Sequence, residues 1–201
     1  MANSLTQKRL QNAVEQRKLS QTERDQTQAS IYRYMLTNAR CVHRGNFSKL
    51  CNSDLGLLFQ ITDEHFFEGD VGRLCEEKAS RPLAFRLSTR MTTSGGMTTM
   101  QRSTQRRNPT TEFEIAIATT PLFATFKDEP TANVGGLVCE DRLQALQRIM
   151  EHEMVHLIEM LLWNDSNCAA NPFKSIVRRF FGHIESNHQL LTPKDLARKR
   201  L

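Results

Sequence analysis

The sequence lacks an apolar run long enough to cross a bilayer, which takes about 18 or more consecutive apolar residues. Its richest stretch, Met154 to Trp163, is interrupted by His156 and Glu159. The first residues, MANSLTQKRLQNAVEQRK, also lack the apolar block of a secretory signal. We therefore expect a soluble cytoplasmic protein, or one associated with the nucleoid or nucleus, that has no membrane partner.

Cysteine is sparse and widely spaced. The chain has 5 cysteines, an odd number, and no CxxC pair occurs. This pattern argues against a disulfide scaffold and against a recognisable zinc finger or ribbon. We expect reduced thiols, most of them buried as small apolar side chains.

Charge is distributed unevenly along the 201 residues. The net charge is +5, yet the excess of Lys and Arg lies in residues 1–52 and 174–201, whereas the segment between them is acidic. Basic ends suit a polyanion, because neutralising phosphates releases counterions. DNA bound through the basic termini is therefore one prediction, and solvated tails that only keep the protein soluble are the other.

The periodicity of apolar residues predicts an α+β fold. Helical spacing begins clearly near Asp54, and the longest helix signal runs from about Asp141 to Trp163. Alternation with a period of two predicts three strands, near residues 83–91, 97–101 and 113–118. We expect them to form a small antiparallel three-stranded sheet packed on helices, with the third strand at its edge.

The segment MEHEMVHLIE contains His-Glu-x-x-His at residues 152–156. Residues four apart stand one above the other in a helix, so His152 and His156 can reach one metal ion from the same side. Glu153 is turned about 100° around the axis, beside the metal and free to act as general base. The alternative is a pair of ordinary surface histidines.

A catalytic zinc normally keeps three protein ligands and one open position. The candidates for the third ligand are Cys168, His183, His188 and Glu159. Cys168 lies just before the Asn171–Pro172 helix start, whose N-terminus would help to hold a thiolate. Glu159 shares the histidine face and suits a partner that orients an imidazole better than a ligand.

The chain resembles the SprT-like (Spartan-related) family of zinc metallopeptidases from about Asp54 to Gly182. The likeness rests on the order and spacing of four segments, DEHFFEGDVGRL, FRLSTRMTTSGG, EFEIAIATTPLF and LQRIMEHEMVH. The family supplies its third ligand from His-Gly-x-x-Phe. Here Phe173 fits the aromatic position, but Cys168-Ala-Ala-Asn-Pro precedes it, so the resemblance gives Cys168 the ligand role.

The resemblance implies a zincin-like core, which we place at residues 51–190. The composition of the flanking segments predicts a basic polar arm at 1–50, partly disordered or helical, and a basic tail at 191–201. The resemblance also implies a zinc metalloendopeptidase that takes an extended protein or peptide substrate along an edge strand. A thiolate ligand would weaken zinc as a Lewis acid, so activity could be low or controlled by oxidation. The alternatives are a non-catalytic zinc-stabilised module that binds nucleic acid or protein, and a metal-dependent hydrolase acting on RNA.

Overall fold

The computed structural model describes residues 4–103, 109–185, 187 and 189–191. Its described elements include seven helices and a three-stranded sheet, which confirms the predicted α+β class. The helices are α1 (Leu5–Gln16), α2 (Gln21–Asn38), α3 (Asn52–Phe67), α4 (Asp70–Lys78), α5 (Thr119–Asp128), α6 (Arg142–Trp163) and α7 (Asn171–Phe181). The strands are β1 (Ala84–Ser88), β2 (Gly96–Ser103), β3 (Thr110–Ala118), β4 (Ala132–Val134) and β5 (Leu137–Cys139).

The three-stranded sheet is mixed, so the prediction of an antiparallel sheet is wrong. Its order is β1-β3-β2, with β1 parallel and β2 antiparallel to β3. Strands β1 and β2 do not pair with each other, because the chain between them passes the end of β3, where Gly95 O accepts a hydrogen bond from Ala118 N. The third strand is consequently central, and β2 is the edge strand that lies against α6.

Helix α6 runs through the middle of the core. Asp141 caps it by accepting a hydrogen bond from Gln144 N, and Asn164 ends it in the left-handed conformation at φ 61°. The apolar stripe of this helix is buried, with Leu146, Met150 and Leu157 fully shielded from solvent. Sheet strands, α3 and α7 pack around it, so α6 holds a fixed position beside β2.

The N-terminal arm is helical where it is described. The sequence predicts an arm that is partly disordered or helical. In the structure, Leu10 and Val14 of α1 are buried, as are Ile31 and Met35 of α2. A few well-placed apolar side chains suffice because α1 packs on α4, and α2 packs on α3.

Two cysteines depart from the expectation of reduced thiols. Cys41 and Cys51 form a disulfide with Cα atoms 6.4 Å apart, because the chain between α2 and α3 folds back on itself. Cys75 and Cys139 are buried free thiols, as predicted. The short C-terminal helix predicted after Thr192 lies outside the described residues, and so does His188.

No described helix combines the length and the apolar character that crossing a bilayer demands.

Candidate metal centre

His152 and His156 lie one turn apart on the face of α6 that looks away from the buried stripe. Their Nε2 atoms are 3.2 Å apart, and the rings make an edge contact with centroids at 4.9 Å. Both side chains are partly buried. The helical spacing read from the sequence therefore brings two imidazole nitrogens to one point.

Cys168 reaches the same point from the turn that follows α6. One ligand atom each of His152, His156 and Cys168 lie within 4.8 Å of one another. The turn is held by Glu159, whose Oε2 accepts hydrogen bonds from Ser166 Oγ at 2.6 Å and from Asn167 N at 3.2 Å. The turn thus places Cys168, which precedes α7, next to the face of α6 that holds the two histidines.

A hydrogen-bonded chain orients His156. Its Nδ1 lies 2.6 Å from Ser166 Oγ, and that hydroxyl donates to Glu159 Oε2. With the hydroxyl proton committed to the carboxylate, Nδ1 must be the donor to Ser166, which leaves the Nε2 lone pair facing His152. Burial lowers the pKa of His156 to about 4, so the ring is neutral near pH 7, as a ligand must be. Glu159 therefore orients the His156 imidazole through Ser166, which is the role that the sequence suggested for it.

Phe173, in the first turn of α7, forms an apolar floor below both imidazoles. Its ring centroid lies 4.8 Å from that of His152 and 4.5 Å from that of His156, and its side chain is fully buried. The contact limits rotation of both rings. It also shields the nitrogens from solvent on that side.

Glu153 projects towards β2 and is only 4% exposed. Thr98 Oγ1 lies 2.8 Å from its Oε2 and 2.9 Å from its backbone oxygen. A Cβ on Gly96 would come within 2.7 Å of the Glu153 side chain, so any larger residue here would displace that side chain. Burial raises the pKa of Glu153 to about 7 even though hydrogen bonds from Thr98 lower it, so the carboxyl can both take up and release a proton near neutrality.

A cavity of about 650 Å³ opens over these groups. His152, Glu153, His156 and Cys168 line one part of it, and β2 contributes another wall from Gly96 to Thr98. Two imidazole nitrogens and a cysteine sulfur are a donor set that zinc accepts. The residues present fit a zinc ion that keeps one position open to the cavity.

His183 does not join the cluster. It follows α7, lines the same cavity and is 1% exposed, but its Nε2 lies 2.9 Å from Glu151 Oε2. Glu151 also accepts from Arg148 and Gln28, so this histidine is part of a buried polar network between α2, α6 and the end of α7. Of the third-ligand candidates that the structure describes, Cys168 is the one placed beside both histidines.

Three residues of the site carried no signal in the sequence. Thr98, Ser166 and Gly96 act through contacts between segments distant in the chain or across a turn, and each is a common residue type without a motif. The resemblance to the family included the segment that ends at Gly96, but it gave no role to these three positions.

Comparison with known proteins gives no match for this chain among family models, curated proteins or solved structures.

Proposed function

We propose that this protein is a zinc-dependent metallopeptidase of the SprT-like type. His152, His156 and Cys168 are the metal ligands, and Glu153 is the general base. The observation that carries the proposal is the convergence of the three ligand atoms beside a buried carboxyl that opens on the same cavity. The resemblance of four ordered segments to the family, one of which contains the His-Glu-x-x-His motif, also supports it.

Each side chain has a distinct part in peptide hydrolysis. Zinc bound at this site would polarise the peptide carbonyl and lower the pKa of water to about 7. Glu153 takes the proton from the attacking water and later delivers it to the leaving amine. Thr98 holds the Glu153 carboxyl in place, and Ser166 and Glu159 hold the His156 ring. Phe173 keeps bulk water from the ligands.

The substrate is an extended segment of a protein laid along β2. A free strand edge offers backbone donors and acceptors to an added strand. Among the described strands, β2 is the sheet edge that lies on α6, and its first residues line the cavity next to Glu153. This replaces the 113–118 strand that the sequence analysis placed at the edge.

The proposal includes recruitment to DNA through basic side chains. The N-terminal helices contribute exposed basic side chains, including Lys8 and Arg33. The basic C-terminal tail lies outside the described residues. Substrates would then be proteins associated with nucleic acid, and the protein would reside in the cytoplasm or near DNA.

The test compares the parent with Glu153→Gln in a peptidase assay on an unstructured protein such as casein and in an autocleavage assay, each with and without DNA. Zinc content is measured on the same samples. We expect about one zinc ion per chain at this site in both proteins and a loss of cleavage of about 100-fold or more in the variant. The amide keeps the shape of the side chain but cannot take a proton.

A matched control is Glu140→Gln, which neutralises an exposed carboxylate ahead of α6 and should leave cleavage unchanged. Equal cleavage by the parent and Glu153→Gln would contradict the role of Glu153. Zinc binding without any cleavage by the parent would instead support the non-catalytic zinc-stabilised module.

A further inference from the structure

A second group of sulfur and oxygen atoms lies at the start of α3, apart from the residues of the α6 site. It consists of Cys41, Cys51 and Asp54, whose ligand atoms lie within 4.8 Å of one another. Both cysteines are partly buried, so small molecules can reach them, and Asp54 is 1% exposed. Nothing in the proposed peptidase mechanism uses this group.

Asp54 has an acceptor position aimed at sulfur. Its Oδ1 accepts from Arg40 N at 2.8 Å and Cys41 N at 3.3 Å, and its Oδ2 accepts from Cys51 N at 3.1 Å. An ionised carboxylate offers about four lone-pair positions. The remaining one, on Oδ2, faces Cys51 Sγ at 3.0 Å.

The disulfide leaves that position without a donor, because a disulfide sulfur carries no proton. A buried acceptor against sulfur lone pairs is unfavourable. The proton of a Cys51 thiol would satisfy it, and so would a cation. The surroundings of Asp54 are therefore better suited to the reduced cysteines than to the oxidised pair.

We propose that Cys41, Cys51 and Asp54 form a redox-gated cation site. In the oxidised protein the two sulfurs are joined. In the reduced protein both thiolates and the Asp54 carboxylate hold one thiophilic divalent cation of the zinc class, with water as the fourth ligand.

A thiol reductant would open the Cys41–Cys51 disulfide. Two reductant thiols transfer two electrons and two protons to the disulfide, giving two cysteine thiols and one reductant disulfide. Binding of the cation then releases the two thiol protons. Two sulfurs and one carboxylate oxygen suit zinc, which prefers sulfur and accepts oxygen.

The loop that this site closes is attached to the start of α6. Gly45 O accepts from Leu143 N at 3.0 Å, and Asn46 Oδ1 accepts from Arg142 N at 3.1 Å. The Arg142 side chain donates to Phe47 O. Either the disulfide or the cation would cross-link the loop that supports this helix, so only the reduced, metal-free protein has a loosened support.

The first experiment counts zinc in reduced protein after dialysis against a weak chelator. We expect the parent to retain about one more zinc ion per chain than the Cys41→Ser/Cys51→Ser variant, whether or not the α6 site binds zinc. Cys139→Ala removes a buried thiol outside the group and should retain the parent's zinc content. Equal zinc in the parent and the double variant would overturn the proposal.

The second experiment needs no substitution and remains informative if the double variant fails to fold. Reduced parent is alkylated with and without zinc, and each cysteine is followed by peptide mass mapping. We expect zinc to slow alkylation of Cys41 and Cys51 by about tenfold or more, because a bound thiolate is a poorer nucleophile. Equal rates with zinc and with chelator would overturn the proposal, even if zinc protects Cys168.

Discussion

The Glu159 carboxylate reaches the candidate metal site through a single hydroxyl. Ser166 lies between this carboxylate and the His156 ring, and the same carboxylate accepts the backbone N–H of Asn167. One buried anion therefore sets the tautomer of a ligand and the path of the turn that presents Cys168. Such outer contacts typically change metal affinity by about 10–100-fold when they are removed.

Asp63 is a buried carboxyl that lies outside the candidate metal site. It lies in α3, is 3% exposed, and accepts from Val71 N and Gly72 N at the start of α4. Burial raises its pKa to about 6, although the two backbone hydrogen bonds lower it. The folded protein therefore favours the protonated form more than the unfolded chain does.

This shift predicts a pH-dependent stability. The stabilisation from Asp63 is fully present below its unfolded pKa, near 4, and is lost as pH rises through about 6. Asp63→Asn removes this titration. We expect the stability of the parent relative to the variant to fall by about 2–3 kcal/mol between pH 4 and pH 7. Urea unfolding at several pH values measures it, and a difference that does not vary with pH would contradict it.

At the level of elements, β2 and α6 are brought so close that Gly96 and Glu153 touch. A Cβ at position 96 would lie 2.7 Å from the Glu153 side chain, so Gly96→Ala must displace the carboxyl. We expect kcat to fall by about tenfold or more with zinc content unchanged, because the base is moved while the ligands are kept. Peptidase assays and metal analysis on one preparation check this.

Gly56→Ala provides the matched control. Its Cβ would meet the Phe85 ring at 3.6 Å, an ordinary contact, within helix α3. Alanine there should preserve both activity and zinc. Full activity in Gly96→Ala would show that the close approach to Glu153 has no part in catalysis.

The strands show which structural features can be predicted from a sequence of this kind. Alternation located β1, β2 and β3 to within a few residues, because it reports which side chains share a face. It carries no information on which strands pair. The place of β3 between the other two follows from the path of residues 89–95, which no local pattern specifies.

The residues of the candidate site also differ in whether the sequence alone could reveal them. The spacing of His152 and His156 is a local property of one helix and was readable directly. Cys168 was recognisable as a metal-binding residue type near the right place. Thr98 and Ser166 could not be recognised from the sequence. Their roles depend on the approach of β2 to α6 and on the fold of the turn that follows α6.

At the scale of the whole molecule, the N-terminal helices are part of the packed structure. Arg179 of α7 donates to the backbone oxygens of Val14 and Arg17, and Gln28 of α2 donates to Glu151 and to Phe181 O. These hydrogen bonds attach α1 to α7, and α2 to both α6 and the end of α7. The sequence predicts this arm only as partly disordered or helical, because its few apolar anchors are diluted by polar residues.

We predict that α1 stabilises the fold. Leu10 is fully buried, so Leu10→Ala should lower the free energy of unfolding by about 2–4 kcal/mol through lost burial and a cavity. Leu5 lies in the same helix but is 72% exposed, and Leu5→Ala should cost less than about 0.5 kcal/mol. Urea unfolding of the two variants distinguishes a packed helix from a loose arm, for which both costs would be small.

We propose that His152, His156 and Cys168 hold one zinc ion with a position left open. X-ray absorption on the zinc-loaded Cys41→Ser/Cys51→Ser variant examines this shell alone, since that protein lacks the other proposed zinc site. We expect two imidazole nitrogens at about 2.0–2.1 Å, one sulfur at about 2.3 Å and one further light atom, with the sulfur lost in an added Cys168→Ser substitution. A protein without zinc, or a zinc shell without sulfur, would contradict it.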